Sequence, residues 1–206
     1  MTTDTTTTTF TLGPVGTEVD KRIRQLQQGA LADRPAEVAA LARLRRAVGR
    51  PPGSVPDVQL YTLSEVFAAP DAGDAPTPAE IAAHAALTFY ATHQQSRDKR
   101  MHQGGPSLGA AMRALCPKHD PEVPPAVLRR FQTLGTSETL DELLHHLRGA
   151  VQLLRASDIV LDYGQLTDDL LRWQKPGGAD RVRLRWGRDF HRQHKPDTSD
   201  TDPNTD

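Results

Sequence analysis

The stretch that decides the fold is residues 77–96, TPAEIAAHAALTFYATHQQS, which contains the clearest helix start in the chain. Thr77 can act as the N-cap, Pro78 stands at the first helical position, and Glu80 follows three residues after the cap, so the three together form a capping box. The residues that follow are apolar on nearly every face, as in a helix surrounded by other elements. The stretch therefore predicts a buried central helix.

Amphipathic segments on both sides of this stretch predict further helices. In residues 35–49, PAEVAALARLRRAVG, the side chains of Leu41, Leu44 and Val48 share one apolar face. Leucine and other apolar residues recur with helical spacing after the central helix as well. The other segments that predict helices are 58–67, 125–134, 136–157 and 162–174.

The last segment with a regular pattern, residues 181–186, RVRLRW, has two interpretations. Its polar and apolar residues alternate with period two, as in an edge strand. Val182, Trp186 and Phe190, however, recur every four residues, which favours a helix. No other segment predicts a strand, so the expected fold is all-α, a helical bundle of about eight to nine helices.

The distribution of proline and of polar residues predicts two small lobes between disordered tails. Both ends of the chain are polar runs that cannot bury enough apolar surface to offset the entropy of ordering. Residues 116–125, CPKHDPEVPP, contain four prolines and predict a hinge. The expected divisions are a Thr-rich tail at 1–16, an N-terminal helical lobe at 17–115, the hinge at 116–125, a C-terminal helical lobe at 126–195 and an acidic tail at 196–206.

Charge and cysteine content limit the classes of partner and compartment. All 25 Lys and Arg residues lie between Lys21 and Lys195, whereas seven of the 26 acidic residues lie outside that span, which leaves 19 acids and a charge of +6 within it. This charge favours a polyanionic partner. Cys116 is the only cysteine, which fits a reducing cytoplasm, and no apolar run is long enough for a membrane span.

The residues that could support catalysis or bind metal do not form recognisable motifs. His145 and His146 are adjacent, so they point to different faces of a helix, and His191 and His194 have no suitably placed carboxylate. The chain contains no G-x-S-x-G nucleophile motif and no phosphate-binding P-loop. We therefore expect no enzyme activity, no metal and no cofactor.

Cationic residues, in contrast, form rows. Arg43, Arg46 and Arg50 recur at spacings of three and four on the polar face of residues 35–49. After the central helix, residues 93–100, HQQSRDKR, combine neutral hydrogen-bond donors with three cations, and Ser107 can cap a following helix whose amides attract anions. Such groups hold phosphate backbones, although a plain solvated helix end has the same composition.

Several of these segments together resemble one known family, the CasB proteins, which form the small subunit of the type I-E CRISPR Cascade complex. The resemblance covers about residues 41–190, nearly all of the chain between the tails. The segments that carry it are LARLRRAVG with the following PPG, FYATHQQS, MHQGGPSLGAAMRAL, LRRFQTLGTSETLDELLHHLRGAVQLL, LDYGQLTDDLLRWQ and VRLRWGRDF.

The resemblance implies an all-helical, non-catalytic protein that sits as a pair within an RNA-guided surveillance complex. Its implied partners are the other Cascade subunits, the guide RNA and target DNA, including the displaced strand, whose retention keeps the R-loop open. The alternative, which the charges alone equally allow, is a helical adaptor that docks acidic protein surfaces and does not bind nucleic acid. A metal-dependent nuclease would need a cluster of carboxylates and histidines that the sequence lacks.

The rows of cations and the resemblance together define the candidate site. One of Arg129 and Arg130 has a second interpretation, as a buried partner of a helix carboxylate. The residues expected to bind nucleic acid are Arg43, Arg46, Arg50, Gln95, Ser96, Arg97, Lys99, Arg100, Arg113, Arg129, Arg130 and Arg148. The residues expected to contact a neighbouring subunit are Arg181, Arg183, Arg185 and Arg188.

Overall fold

The central helix predicted from residues 77–96 is α4 of the computed structural model, Pro78–His93. Both hydrogen bonds of the predicted capping box are present: Glu80 N donates to Thr77 Oγ1, 3.1 Å away, and Thr77 N donates to Glu80 Oε2, 2.8 Å away. Every residue from 82 to 91 is buried among other helices. The expectation of a buried central helix is confirmed.

The structure describes residues 10–117 and 122–192, and regular structure in these ranges is helical. The prediction of an all-α fold is confirmed, and the ambiguous segment at 181–186 lies within a helix. Besides α4, the helices are α1 (Pro14–Leu31), α2 (Pro35–Arg46), a 3-10 turn (Pro56–Val58), α3 (Gln59–Thr62), α5 (Leu108–Arg113), α6 (Pro125–Thr136), α7 (Leu140–Ala156), α8 (Tyr163–Trp173) and α9 (Gly178–His191).

One hydrophobic core joins the parts of the chain on either side of residues 116–125. α8 packs against α1 and α4, α7 also packs against α4, and α9 packs against α5. Buried side chains from all of these helices form a single cluster, and its largest fully buried side chains are those of Trp186, Tyr90 and Tyr163. The division into lobes at 17–115 and 126–195 stays a prediction, but the helices on its two sides share their apolar contacts.

The predicted boundary of the N-terminal tail, at residue 16, is wrong, because α1 already begins at Pro14. The Asp168 carboxylate on α8 accepts hydrogen bonds from Gly13 N at 2.7 Å and from Gly16 N at 3.0 Å. Acceptors at this place satisfy amides that the first turn of a helix leaves unpaired. Contacts across 155 and 152 positions of sequence thus order a segment whose composition predicted disorder.

The helix predicted at residues 58–67 is shorter than expected. It is a 3-10 turn followed by α3, and Leu63 already has an extended backbone. The Arg22 guanidinium on α1 donates to Tyr61 O at 2.6 Å and to Leu63 O at 2.9 Å. These bonds satisfy carbonyls at the end of α3, so no further helical turn is needed to pair them.

Some predicted segments lie outside the described residues. These are residues 1–9 of the first tail, 118–121 within the predicted hinge, and 193–206, which include the predicted acidic tail and His194. Within the described ranges, no helix has both the length and the apolar content needed to cross a membrane.

Candidate nucleic-acid interface

The loop that follows α4 is organised by Gln94, a residue outside the predicted set. Its buried side-chain amide donates to the carbonyl oxygens of Arg97, at 3.0 Å, and Lys99, at 2.8 Å. Its Oε1 accepts from Met101 N at 3.2 Å and from the Tyr90 hydroxyl at 3.3 Å. The position of Gln94, four residues after buried Tyr90, is the one feature of the sequence that could have indicated this inward orientation.

The cations of this loop are partly neutralised by Asp158, which follows α7. The Asp158 carboxylate lies 3.2 Å from Arg97 Nη1 and 3.5 Å from Lys99 Nζ. Ser96 and Arg100 are exposed, and Ser96 has a positive φ of 54°. The loop therefore presents polar groups and cations to solvent, but its local excess of positive charge is smaller than the letters HQQSRDKR indicate.

Two further arginines outside the predicted set lie beside this loop. Arg155 of α7 donates from Nε to Gln95 O at 2.9 Å, and half-buried Arg45 of α2 lines a surface cavity with Gln95 and Arg97. Burial, followed by the charges of Arg155 and Arg46, lowers the pKa of the Arg45 guanidinium. Neighbouring cations repel one another, and an anionic ligand bound beside them would relieve this repulsion.

A second cavity brings together two of the predicted cations, Arg50 and Arg148. It has a volume of about 590 Å³ and lies between α4, α7 and the turn after α2. Arg50 at the end of that turn lines it together with Arg148 and His145 of α7. A Cβ placed on Gly49, which has φ of 74°, would lie 4.0 Å from Arg148 Nη1, so Arg148 reaches from α7 towards the turn.

The histidine that positions this turn is His84 of α4, which is also absent from the predicted set. His84 Nε2 donates to Ala47 O at 3.3 Å, and the carbonyl of Arg50 also faces the ring. Burial lowers the pKa of His84, and the backbone carbonyls only partly oppose this effect. A neutral, buried His84 thus holds residues 47–50 against the central helix.

α6 carries two more of the predicted cations, and one of them lies against α7. Arg129 and Arg130 are both exposed, so the interpretation of either as a buried partner of a carboxylate is wrong. A Cβ placed on Gly149 would lie 3.2 Å from Arg130 Nη1, which shows that this guanidinium rests on α7 beside the residue that follows Arg148. The absence of a side chain at Gly149 permits this approach.

The remaining predicted cations are more dispersed. Arg43 and Arg46 are exposed on α2, and Arg46 makes a long, exposed ion pair of 3.9 Å with Asp57. Such a pair contributes little and leaves the cation available. Arg113 is half-buried in the last turn of α5, which is a different helix from the one that carries Arg43 and Arg46. The structure places Arg50 and Arg148 in one cavity and Arg130 against α7 at Gly149, whereas the other predicted cations are dispersed.

Two of the four arginines assigned to a neighbouring subunit are engaged within the chain. Arg183 donates to Asp180 and Ser137 O and lies over the ring of Trp173. Arg185 pairs with the buried carboxylate of Asp169 and lies over the ring of Phe10. Arg181 and Arg188 are exposed, and contacts to another subunit remain a prediction for them.

The segment MHQGGPS, residues 101–107, forms hydrogen bonds to α1, to the residue before α8 and to α9. Gly105 N donates to Asp162 Oδ2 at 2.8 Å, with Gly105 at φ of 114°, and Gln27 exchanges two hydrogen bonds with the backbone of His102. Ser107 Oγ accepts from Ala110 N and donates to an Asp189 carboxylate oxygen 2.6 Å away. A carboxylate at this helix start, on a helix of six residues, does not favour the predicted anion site.

Within residues 10–117 and 122–192, the side chains of Asp20, His102 and Asp162 form a group that could hold a metal ion, with ligand atoms within 4.8 Å of one another. Hydrogen bonds already use these atoms. His102 Nε2 donates to Asp20 Oδ1 at 2.9 Å, His102 Nδ1 accepts from Tyr163 N, and the two Asp162 oxygens accept from Gln165 N and Gly105 N. The arrangement satisfies buried polar groups within the fold, so we assign it a structural role.

Comparisons with known proteins agree with this arrangement of helices. The sequence model of the family described as CRISPR-associated protein Cse2 matches residues 40–191. The chain is 32% identical over 161 residues to a CRISPR-associated protein Cse2 of Thermus thermophilus, covering 78% of this chain and 83% of that protein.

Two solved structures show the same fold. CasB from Thermobifida fusca is 44% identical, with a TM-score of 0.76, and the match covers 88% of this chain and all of that chain. A chain of a CRISPR RNA-guided surveillance complex is 23% identical, with a TM-score of 0.67, over 87% of this chain and 94% of the other. At that identity, the second likeness supports the fold alone.

Proposed function

Because the chain belongs to the CRISPR-associated Cse2 family, whose members include CasB, we propose that it is a non-catalytic subunit of an RNA-guided Cascade surveillance complex. In this role it binds the backbone of the displaced DNA strand and of the guide RNA complex without sequence specificity. It thereby stabilises the R-loop. Its partners are the other Cascade subunits, guide RNA and target DNA, and it pairs with a second copy in the complex.

The observation that carries this proposal is the convergence of cations from three elements. Arg50, which follows α2, and Arg148 of α7 line one cavity beside the turn at Gly49. Arg130 of α6 lies against α7 at Gly149, the residue after Arg148. All three arginine side chains are exposed. Cations that converge from different elements form a surface along which a phosphate backbone can lie, with little information about base sequence.

The positions of the aromatic residues favour backbone contacts over stacking on exposed rings. Only 5% of residues are aromatic, and Tyr90, Tyr163, Trp186 and Phe190 are all fully buried. Strand-binding surfaces that recognise bases through stacking expose such rings. Affinity in this protein therefore depends mainly on charge and falls as salt increases.

A modest number of such contacts is enough for the proposed role. Opening of an R-loop exchanges one duplex for another of similar stability, so small added interactions decide how long the open state lasts. Holding the displaced strand prevents it from pairing again with the target strand. The chain thus needs no catalytic group to affect the outcome.

A second candidate function, a helical adaptor that docks protein surfaces, is favoured by an exposed apolar patch. Leu60 is 82% exposed, and Leu63 and Val66 nearby are 39% and 45% exposed. Exposed apolar side chains that cluster in this way are typical of protein contacts. The adaptor needs no affinity for nucleic acid, which separates it from the first proposal.

Purification of the full-length chain from its own host tests the proposal. We expect a large assembly that contains short repeat-derived RNA, and in that assembly a variant with Arg50, Arg130 and Arg148 replaced by Ala should shorten the lifetime of the R-loop severalfold. A matched variant in which three exposed cations outside every predicted set, Lys21, Arg172 and Lys175, are replaced by Ala should retain the wild-type R-loop lifetime. An assembly without RNA, or equal R-loop lifetimes in the wild type and the first variant, would favour the adaptor.

A further inference from the structure

The cavity beside Arg50 and Arg148 has walls of two chemical kinds. Pro51 and Pro52 from the turn after α2, Ile81 and Ala85 from α4, and Leu144 from α7 supply an apolar lining. Polar and charged side chains lie at its edges. The volume of about 590 Å³ is within the range of small-molecule sites and is larger than a phosphate group alone requires.

The charged groups of α7 are ordered along the cavity. Asp141, His145 and Arg148 follow one another on the same side of the helix, and all three line the cavity. Seven residues separate the carboxylate from the guanidinium, which is about 10 Å along a helix axis. A ligand that is anionic at one end and carries hydrogen-bond donors at the other fits this order of charges. A nucleotide is such a ligand, and the distance from its phosphate to the far edge of its base fits the length of the cavity.

The cationic end of the cavity is held in place by the fold. His84 fixes the turn at 47–50 through the carbonyls of Ala47 and Arg50. Arg148 Nη1 lies 4.0 Å from where a Cβ on Gly49 would stand, which is an ordinary contact distance. His84 itself is 4% exposed and lines the cavity. A preformed site of this kind loses less conformational freedom on binding than a flexible surface does.

Building on the nucleic-acid function proposed above, we propose that this cavity takes one unstacked nucleotide of a bound single strand. Its phosphate lies between Arg50 and Arg148, and its base lies against Pro51, Ile81 and Leu144. The Asp141 carboxylate at the far end accepts a hydrogen bond from a ring or exocyclic N–H of the base. The strand is thereby held by one base in addition to its backbone.

The test measures binding of the full-length chain to two labelled DNA strands by fluorescence anisotropy. Both strands have the backbone and charge of 12 nucleotides, but one is oligothymidylate and the other lacks every base. Wild-type protein should bind the intact strand about tenfold more tightly than the abasic strand, since one base gains an apolar site. Ala85→Leu fills the cavity from α4 and should reduce affinity for the intact strand to that for the abasic one.

Two further variants keep the test decisive. Leu144→Phe narrows the cavity from the opposite wall and should have the same effect, so it replaces Ala85→Leu if that variant does not fold. Ala36→Leu adds the same bulk at an exposed position of α2 and should leave the preference unchanged. Thermal unfolding of each variant separates loss of binding from loss of structure.

The outcomes separate the cavity from the wider function. Equal, salt-sensitive affinity of the wild type for both strands would overturn the cavity proposal and leave backbone binding in place. A preference for the intact strand that persists in both cavity variants would also overturn it, because the base would then be bound elsewhere. If wild-type protein bound neither strand, the nucleic-acid function itself would fail and the cavity proposal with it.

Discussion

Residues 94–107, the loop and turn between α4 and α5, contrast with the cavity between α2, α4 and α7. The loop and turn have the most unusual residue types in the chain, but Gln94, Gly105 and Ser107 use their polar groups for contacts within the fold. The cavity has few conspicuous motifs, but it gathers exposed Arg50 and Arg148. A distinctive motif can therefore reflect the demands of folding, while binding depends on cations that tertiary structure brings together.

Substitution of Gly109, a buried residue in the first turn of α5, should destabilise the protein most. A Cβ at this position would lie within van der Waals overlap of Trp186 O on α9, the closest approach being to backbone rather than to a flexible side chain. Gly109→Val should lower the free energy of unfolding by more than about 3 kcal/mol in denaturant titrations. Gly187→Ala, in α9 with open space around the added Cβ, is the control and should be neutral or slightly stabilising.

The next largest effect is expected at Gln94. Gln94→Ala removes side-chain hydrogen bonds to Arg97 O, Lys99 O and Met101 N, so we expect a loss of about 3 kcal/mol of stability. Gln95→Ala is a matched control, because the bond from Arg155 goes to its backbone carbonyl. Equal urea midpoints for the two variants would show that the loop does not depend on the Gln94 amide.

The pH dependence of stability tests the same buried region. Burial lowers the pKa of His93 to about 4, below its ordinary value of about 6.5. The unfolded chain therefore binds the proton more readily than the folded chain does. The contribution of neutral His93 to the stability of the fold is complete above pH 6.5 and is lost as the pH falls towards 4.

Between pH 7 and pH 5, His93 should lower the free energy of unfolding by about 2 kcal/mol, as measured by urea titration at each pH. His93→Gln should weaken this decrease, whereas His145→Gln, at an exposed position, should leave it unchanged. The same pH dependence in wild type and His93→Gln would contradict the assignment of a neutral, buried His93.

Substitution of the exposed arginine Arg130 should weaken binding of nucleic acid and leave the stability of the fold almost unchanged. Arg130→Ala should change the free energy of unfolding by less than about 0.5 kcal/mol, since Arg130 is exposed. It should weaken binding of single-stranded DNA about threefold at low salt, because one phosphate contact is lost. A large loss of stability would assign Arg130 to the fold instead.

Local signals in the sequence predicted much of the helical structure. The capping box at Thr77 and the spacing of Val182, Trp186 and Phe190 depend on residues close together in sequence, and both predictions are confirmed. The docking of Gly13 on Asp168 depends on a contact across 155 positions, so composition alone indicated disorder there. Local patterns contain little information about such pairings.

The candidate site was less predictable for the same reason. Arg50 was recognised from helical spacing, and Arg148 was among the residues expected to bind nucleic acid. Their meeting around Gly49 depends on how α7 packs near the turn after α2. Arg45 and Arg155 were missed because only the tertiary structure brings them beside Gln95 in the loop after α4. The inward roles of Arg183 and Arg185 likewise depend on distant partners, which are Ser137 and Asp169.

The most direct test of the central claim is a salt titration of binding to a labelled single-stranded oligonucleotide. If about five cations each meet one phosphate, log affinity of the wild-type chain should fall against log salt with a slope of about −3.5. Replacement of Arg50, Arg130 and Arg148 with Ala should reduce the slope to about −1.4, since about two contacts remain. A slope that is the same in both proteins would contradict the assignment of these three arginines to a phosphate-binding surface.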